Sequence, residues 1–198
     1  IPDGVVAPKV AIDDFQAAKS ATQHLIDQSC RKIAHLAGPL TLELGQKRLK
    51  GYRSALEENN IPQISEYIID AIEGTKERGY LCMNQLLNLP ERPDAVFANN
   101  DMIALGAMMA IKEAGLRIPQ DIAVVGFSNW QFCSLVEPQL SSIAQPGLEM
   151  GRLAATLLFD LLENKPVPNV NRVRVLETEL VVRDSSNRKK HPSKIEFP

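Results

Sequence analysis

The chain has 198 residues, 44% of them hydrophobic and 23% charged, with a formal net charge of -2. This is the composition of an ordinary soluble globular protein of one large or two small domains. It argues against a duplex-binding surface, which is as a rule strongly basic, and no apolar run is long enough to span a membrane. The start, Ile1-Pro2-Asp3-Gly4, lacks the basic head and apolar stretch of a signal peptide. It also lacks an initiator Met, so the chain reads as a fragment. Cys30, Cys82 and Cys133 are widely spaced and form no CxxC, so they read as small buried hydrophobes in a reducing compartment.

In chain order, Lys9 to Ile12 predicts a strand, and Asp13 or Asp14 caps a helix reaching about Gln28. Phe15, Ala18, Ala21, Leu25 and Ile26 share one face of it at helical spacing. Ile33 to Leu36 is the next strand, ended by Gly38-Pro39. A helix over Gly45 to Asn59 turns Leu49, Tyr52 and Leu56 inward. Tyr67 to Ile69 predicts a strand and Thr75 to Leu87 a helix. Ala95-Val96-Phe97-Ala98 is a strand running into Asn99-Asn100-Asp101, followed by a helix stopped near Gly115 and a strand over Ile122 to Val125. Gly147 to Asn164 is a helix with Leu153, Leu157, Leu158, Leu161 and Leu162 on its apolar face. Pro166 and Pro168 make a loop, and Val173 to Leu176 and Leu180 to Val182 are short strands. The polar tail, with Arg188, Lys189, Lys190 and Lys194, reads as disordered.

Strand and helix alternate five times, so the fold class is α/β with a doubly wound parallel sheet. In open parallel sheets ligands bind beyond the carboxyl ends of the strands. Asn99-Asn100-Asp101 stands at one such end and Gly126-Phe127-Ser128-Asn129-Trp130 at another, so two polar clusters face one crevice. The strand ends after Ile12, Leu36, Ile69, Ala98 and Phe127 are all expected along one edge of a single sheet.

The segment Arg92 to Phe127 resembles the ligand-binding core of the lactose-repressor/galactose-repressor family of bacterial transcription regulators. Leu36-Ala37-Gly38-Pro39, Arg48-Leu49-Lys50-Gly51-Tyr52, Glu137 to Pro146, Glu149-Met150-Gly151 and Leu180 to Ser185 fit the same family in the same order. The resemblance covers about Val10 to Ser185. It implies a periplasmic-binding-protein-like fold of two lobes with a ligand clamped between them. In that scheme residues 1–12 end the N-terminal lobe and make the first crossing. Residues 13–143 form the C-terminal effector-binding lobe, and 144–176 return to the N-terminal lobe. Residues 177–185 give the final strand, and 186–198 are the disordered tail. Where the family carries a helix-ending Gly, this chain has Ser29.

The candidate effector contacts are Arg48, Asn100, Asp101, Ser128, Asn129, Trp130, Asp13 and Gln145; the resemblance itself points to Asn100, Arg48 and the Ser128-Asn129 positions. Each has a plainer rival. Asp101 reads first as the helix cap, whereas the Asn100 amide offers both a donor and an acceptor to a hydroxyl. Arg48 is either solvated or a planar fork for paired oxygens. Ser128 stands where relatives carry an acidic residue, which argues against a simple transfer of sugar specificity. Trp130 is either a half-buried anchor or an aromatic platform, and Asp13 and Gln145 are either cleft groups or hinge groups. Leu105, Met109 and Val136 are the expected dimer contacts; Leu105 and Met109 lie four apart on one helical face.

There is no GxSxG and no Gly-rich phosphate loop. His24, His35 and His191 have neither a paired carboxylate nor metal-ligand spacing, so no enzyme, metal or cofactor is expected. The resemblance implies the effector-binding and dimerisation core of a cytoplasmic regulator. Its partners would be a small molecule, a sugar or related metabolite, a second copy of the chain, and operator DNA through a helix-turn-helix domain that this chain does not carry. The alternative is a periplasmic sugar-binding protein of a transporter, which shares the fold.

Overall fold

The computed structural model describes residues 8–163 and 173–190. Expectations for Pro166, Pro168, His191 and the tail beyond residue 190 lie outside the described residues. The chain divides into two compact units, one of Ile1–Asp13 with Gln145–Thr178 and one of Asp14–Ala144 with Glu179–Pro198.

The first unit holds β1 (Lys9–Ile12), α5 (Gly147–Leu162) and β7 (Val173–Leu176). β1 and β7 pair in parallel as a two-stranded sheet. The strand ending at Ile12 therefore does not share the sheet of the other strands, a correction to the single edge expected from sequence. Its backbone partners come from residues 173–176, a pairing that no local pattern announces. On α5 only Leu157 is buried, while Leu148, Leu158, Phe159, Leu161 and Leu162 are exposed.

The second unit holds α1 (Asp14–Asp27), β2 (Ile33–Ala37), α2 (Glu43–Glu58), β3 (Ile68–Asp70), α3 (Lys76–Leu87) and β4 (Ala95–Ala98). Then come α4 (Asp101–Glu113), β5 (Ala123–Ser128), β6 (Ser141–Ala144) and β8 (Glu179–Val181). The sheet order is β3-β2-β4-β5-β6-β8, parallel except that β8 runs antiparallel to β6. β2, β4 and all but the last residue of β5 are fully buried. That is the signature of parallel strands covered on both faces. Ala34, Leu36, Val96, Ala98 and Val124 point into the core shared with α3 and α4. The alternate residues face the other way, where His35 stacks between Tyr52 and Phe97. α3 and α4 approach so closely that a side chain at Gly106 would strike the Lys76 carbonyl, and one at Gly79 the Ile103 carbonyl.

Three local expectations change. Tyr67 ends a 3-10 turn, and the strand begins at Ile68. Ser141–Ala144 is a strand that the sequence pattern does not reveal, because its first two residues are serines buried through hydrogen bonds. The polar tail is not disordered from residue 186. Ser186 is fully buried, and Arg188 donates to the carbonyls of Pro119, Asp94 and Asp121. Ser29 adopts φ 67°, the left-handed cap that Gly supplies more cheaply, with Cys30 N–H closing onto Leu25 O.

Candidate functional site

From β2 the sheet grows one way to β3 and the other way to β4. The carboxyl ends of β2 and β4 therefore flank the topological switch point, where open α/β sheets bind ligands. At that point Gly38 faces the Asn99 amide, and a Cβ there would overlap it. Asn99 is buried and its Oδ1 meets no hydrogen-bond partner within the described structure.

Asn100, next in line, caps α4. Its Oδ1 accepts from Ile103 N–H at 2.8 Å, and its Nδ2 donates to Gly74 O at 3.1 Å. The cap is thus Asn100 and not Asp101. Asp101 is 1% exposed and turned beneath the next loop. Its Oδ1 accepts from Ser142 Oγ at 2.6 Å and its Oδ2 from Trp130 N–H at 2.8 Å. A carboxylate so enclosed offers little to an incoming ligand.

Arg48 is not solvated. It is 7% exposed, and its guanidinium lies 3.5 Å from the centroid of the Phe127 ring. It donates to Asp14 Oδ1 from Nε at 2.8 Å, lies 2.7 Å from it through Nη2, and donates from Nη1 to Asn99 O at 2.6 Å. Burial lowers its pKa, opposed by the Asp14 carboxylate. Asp14, at the start of α1, is therefore a counter-ion as well as a helix-starting residue.

At the last residue of β5 and the one after it, Ser128 and Asn129, the backbone takes φ 114° and 53°. Both are half-buried, and Trp130 is 58% exposed, its ring edge-on to Phe132 at 6.1 Å. Trp130 is neither fully anchored nor free: its backbone is held and its ring is presented. The other loops leaving this edge also carry exposed apolar groups, Leu40 and Leu42 after β2 and Ile72 after β3. Apolar walls with a few fixed polar groups are what small-molecule sites require. The structure thus brings Asn100, Ser128, Asn129 and Trp130 to one sheet edge, with Arg48 and Asp101 buried behind it. Asp13, exposed, and Gln145, half-buried, fall in the first unit. Asn99, Phe127, Ser142 and Arg183 carry the geometry without having been singled out from sequence; only Asn99 and Phe127 had a signal, their place at strand ends.

Met109 is exposed and lines an apolar groove of about 370 Å³ with Tyr80 and Leu81; Leu105 and Val136 are half-buried. Burial pushes Cys30 and Cys133 up to about 12, Cys133 also through the nearby Asp101. Among the described residues no cluster of His, Cys, Asp or Glu could hold a metal, and no helix is long and apolar enough to cross a membrane.

An open, mostly parallel sheet with polar and aromatic groups along its carboxyl edge is the architecture on which α/β proteins bind ligands. The sequence profile of the periplasmic binding protein-like domain matches residues 22–186, and the chain belongs to that family, in the form carried by LacI-type regulators. The HTH-type transcriptional repressor CytR of Escherichia coli is 38% identical over 90% of this chain and 52% of its own length. A regulatory protein of the LacI family from Chloroflexus aggregans superposes with TM-score 0.86 at 35% identity, covering 94% of this chain and 66% of that one. A complex of the transcriptional regulator CelR with cellobiose superposes with TM-score 0.83 at 35% identity, covering 93% and 56%. The chain spans about half the length of the curated relatives it matches. These relatives are transcription regulators, and a transporter component is not favoured.

Proposed function

We propose that this chain is the effector-binding and dimerisation core of a bacterial sequence-specific transcription regulator. It takes a sugar or related metabolite at the carboxyl edge of the second unit's sheet. One observation supports the reading: Asn100 and the exposed Trp130 ring follow β4 and β5, neighbouring parallel strands, at the carboxyl edge of one sheet. Beyond its bonds to Ile103 and Gly74 the Asn100 amide retains one N–H and one lone pair for a sugar hydroxyl, and an exposed indole suits the apolar face of a pyranose. The neighbour bound to cellobiose supports a saccharide as the class. Operator DNA would be read by a domain outside this chain, in the cytoplasm, and a second copy would pair through the Leu105, Met109 and Val136 face. Residues 13–143 and 177–185 would form one lobe, and 1–12 with 144–176 part of the other. Binding regulates only if the ligand prefers one state of the protein over the other.

Thermal-shift titration of the full-length gene product with cellobiose and a panel of pentoses and hexoses tests this. A ligand at a hundred times its Kd adds about 2.7 kcal/mol to native stability. Trp130→Ala should abolish the response to the active sugar with little change in the unliganded melting point. A full response in Trp130→Ala would remove this edge as the site.

A further inference from the structure

Ser128 and Asn129 are consecutive non-glycine residues with positive φ, 114° and 53°. Such backbone persists only where its surroundings over-determine it. Three side chains from distant parts of the second unit do so. Asp101 Oδ2 accepts from Trp130 N–H at 2.8 Å. Ser142 Oγ, fully buried on β6, donates to Asp101 Oδ1 at 2.6 Å and accepts from Asn129 N–H at 3.0 Å. Arg183, just past β8, donates from Nη2 to Asn129 Oδ1 at 2.8 Å and from Nη1 to Leu140 O at 2.6 Å. Trp130 O accepts in turn from Cys133 N–H at 2.9 Å. The backbone on both sides of the indole is thus fixed, while the ring itself is 58% exposed.

We infer that Asp101, Ser142 and Arg183 are positioning residues, a brace that holds the Ser128–Trp130 loop in its left-handed path and presents the indole to the ligand edge. The inference rests on the reading of that edge as the binding site. The brace touches the loop from beneath: Asp101 and Ser142 are buried and Arg183 is half-buried. It reassigns Asp101 from ligand contact to support.

Trp130 is the only tryptophan of the chain, so its fluorescence reports this loop alone. Steady-state anisotropy of the 198-residue chain should fall by about a third in Asp101→Asn, Ser142→Ala and Arg183→Gln, as nanosecond loop motion is added to tumbling. Tyr52→Phe removes a buried bond to Ile33 O elsewhere in the unit; it should lower the melting point and leave the anisotropy unchanged. Should Asp101→Asn not fold, Arg183→Gln carries the test, since Arg183 lies at the partly exposed edge of the cluster. Wild-type anisotropy in every folded brace variant would overturn the inference, as would an equal fall in Tyr52→Phe. No sugar is present in this measurement, so its failure is distinct from a failure of the sugar titration.

Discussion

The two units solve the same problem unequally. In the second, six strands are flanked by four helices, and the inner strands are buried on both faces. In the first, a parallel pair has only α5 described with it; Val173 and Val175 are exposed, as are most of the helix's leucines. A two-stranded parallel sheet is not independently stable in water. The difference teaches that the second unit contains its own reasons to fold, whereas the first has apolar surface still to be covered. Substitutions inside the second unit should therefore register as stability, and those on α5 as association.

The largest effect is expected from Arg48→Ala. It strands the Asp14 carboxylate and uncovers Phe127. Breaking a buried pair by removing one partner costs about 3–5 kcal/mol. A solvated Arg would contribute far less. Urea unfolding followed by circular dichroism measures it, and a loss under about 1 kcal/mol would mean that the cluster contributes little.

Acid should act next. His35 is fully buried, and burial lowers its pKa from 6.5 to about 4, with Arg48 adding to the effect and its bond to Phe97 O opposing it. As pH falls below 6.5 the unfolded chain takes up this proton first. Stability is unaffected by this group above 6.5 and drains away between 6.5 and about 4. At about 1.4 kcal/mol per pH unit, the loss approaches roughly 3 kcal/mol. His24, lowered chiefly by burial, acts in the same direction. Denaturation midpoints across this interval should be flatter in His35→Gln; an identical slope would exonerate His35.

Smaller again is Tyr52→Phe, which leaves the buried Ile33 carbonyl without its 2.7 Å bond and should cost about 1–2 kcal/mol. Smallest in stability is Leu158→Lys with Phe159→Lys on α5, where exposed substitutions stay within about 0.5 kcal/mol. The isolated chain is expected to self-associate through this face. Sedimentation velocity should show the pair of lysines shifting it toward monomer, and a wild-type chain already monomeric would contradict the expectation.

Much of the fold was legible because its signals are local. Leu49, Tyr52 and Leu56 keep a helical period, and Ala95 to Ala98 is a short apolar run bounded by polar residues. What was not legible depends on distant partners. Ser141-Ser142 looks like a loop until Ser185 and Asp101 are placed against it. Asn100 and Asp101 are equally plausible caps by chemistry; the choice is made by Trp130 and Ser142, far along the chain. Arg48 looks like a surface residue until Asp14 and Phe127 enclose it. The candidate edge was therefore readable from strand ends, whereas the division between exposed and buried groups along it was not.

The threading of β8 has a consequence for synthesis. The first unit's helix and strand are made between β6 and β8, and Ser185 then plugs the sheet from its far end. Its N–H and O respectively meet Gln139 O and Val124 N–H, while its hydroxyl takes Ser141 N–H and donates to Val124 O. A nascent chain halted before residue 179 has every crossover helix of the second unit but an open edge on β6 and these groups unmet. On the ribosome, the second unit cannot close in the order it is translated; its edge must wait, exposed to chaperones or to strand pairing with neighbours, until the polypeptide has passed through the first unit and come back.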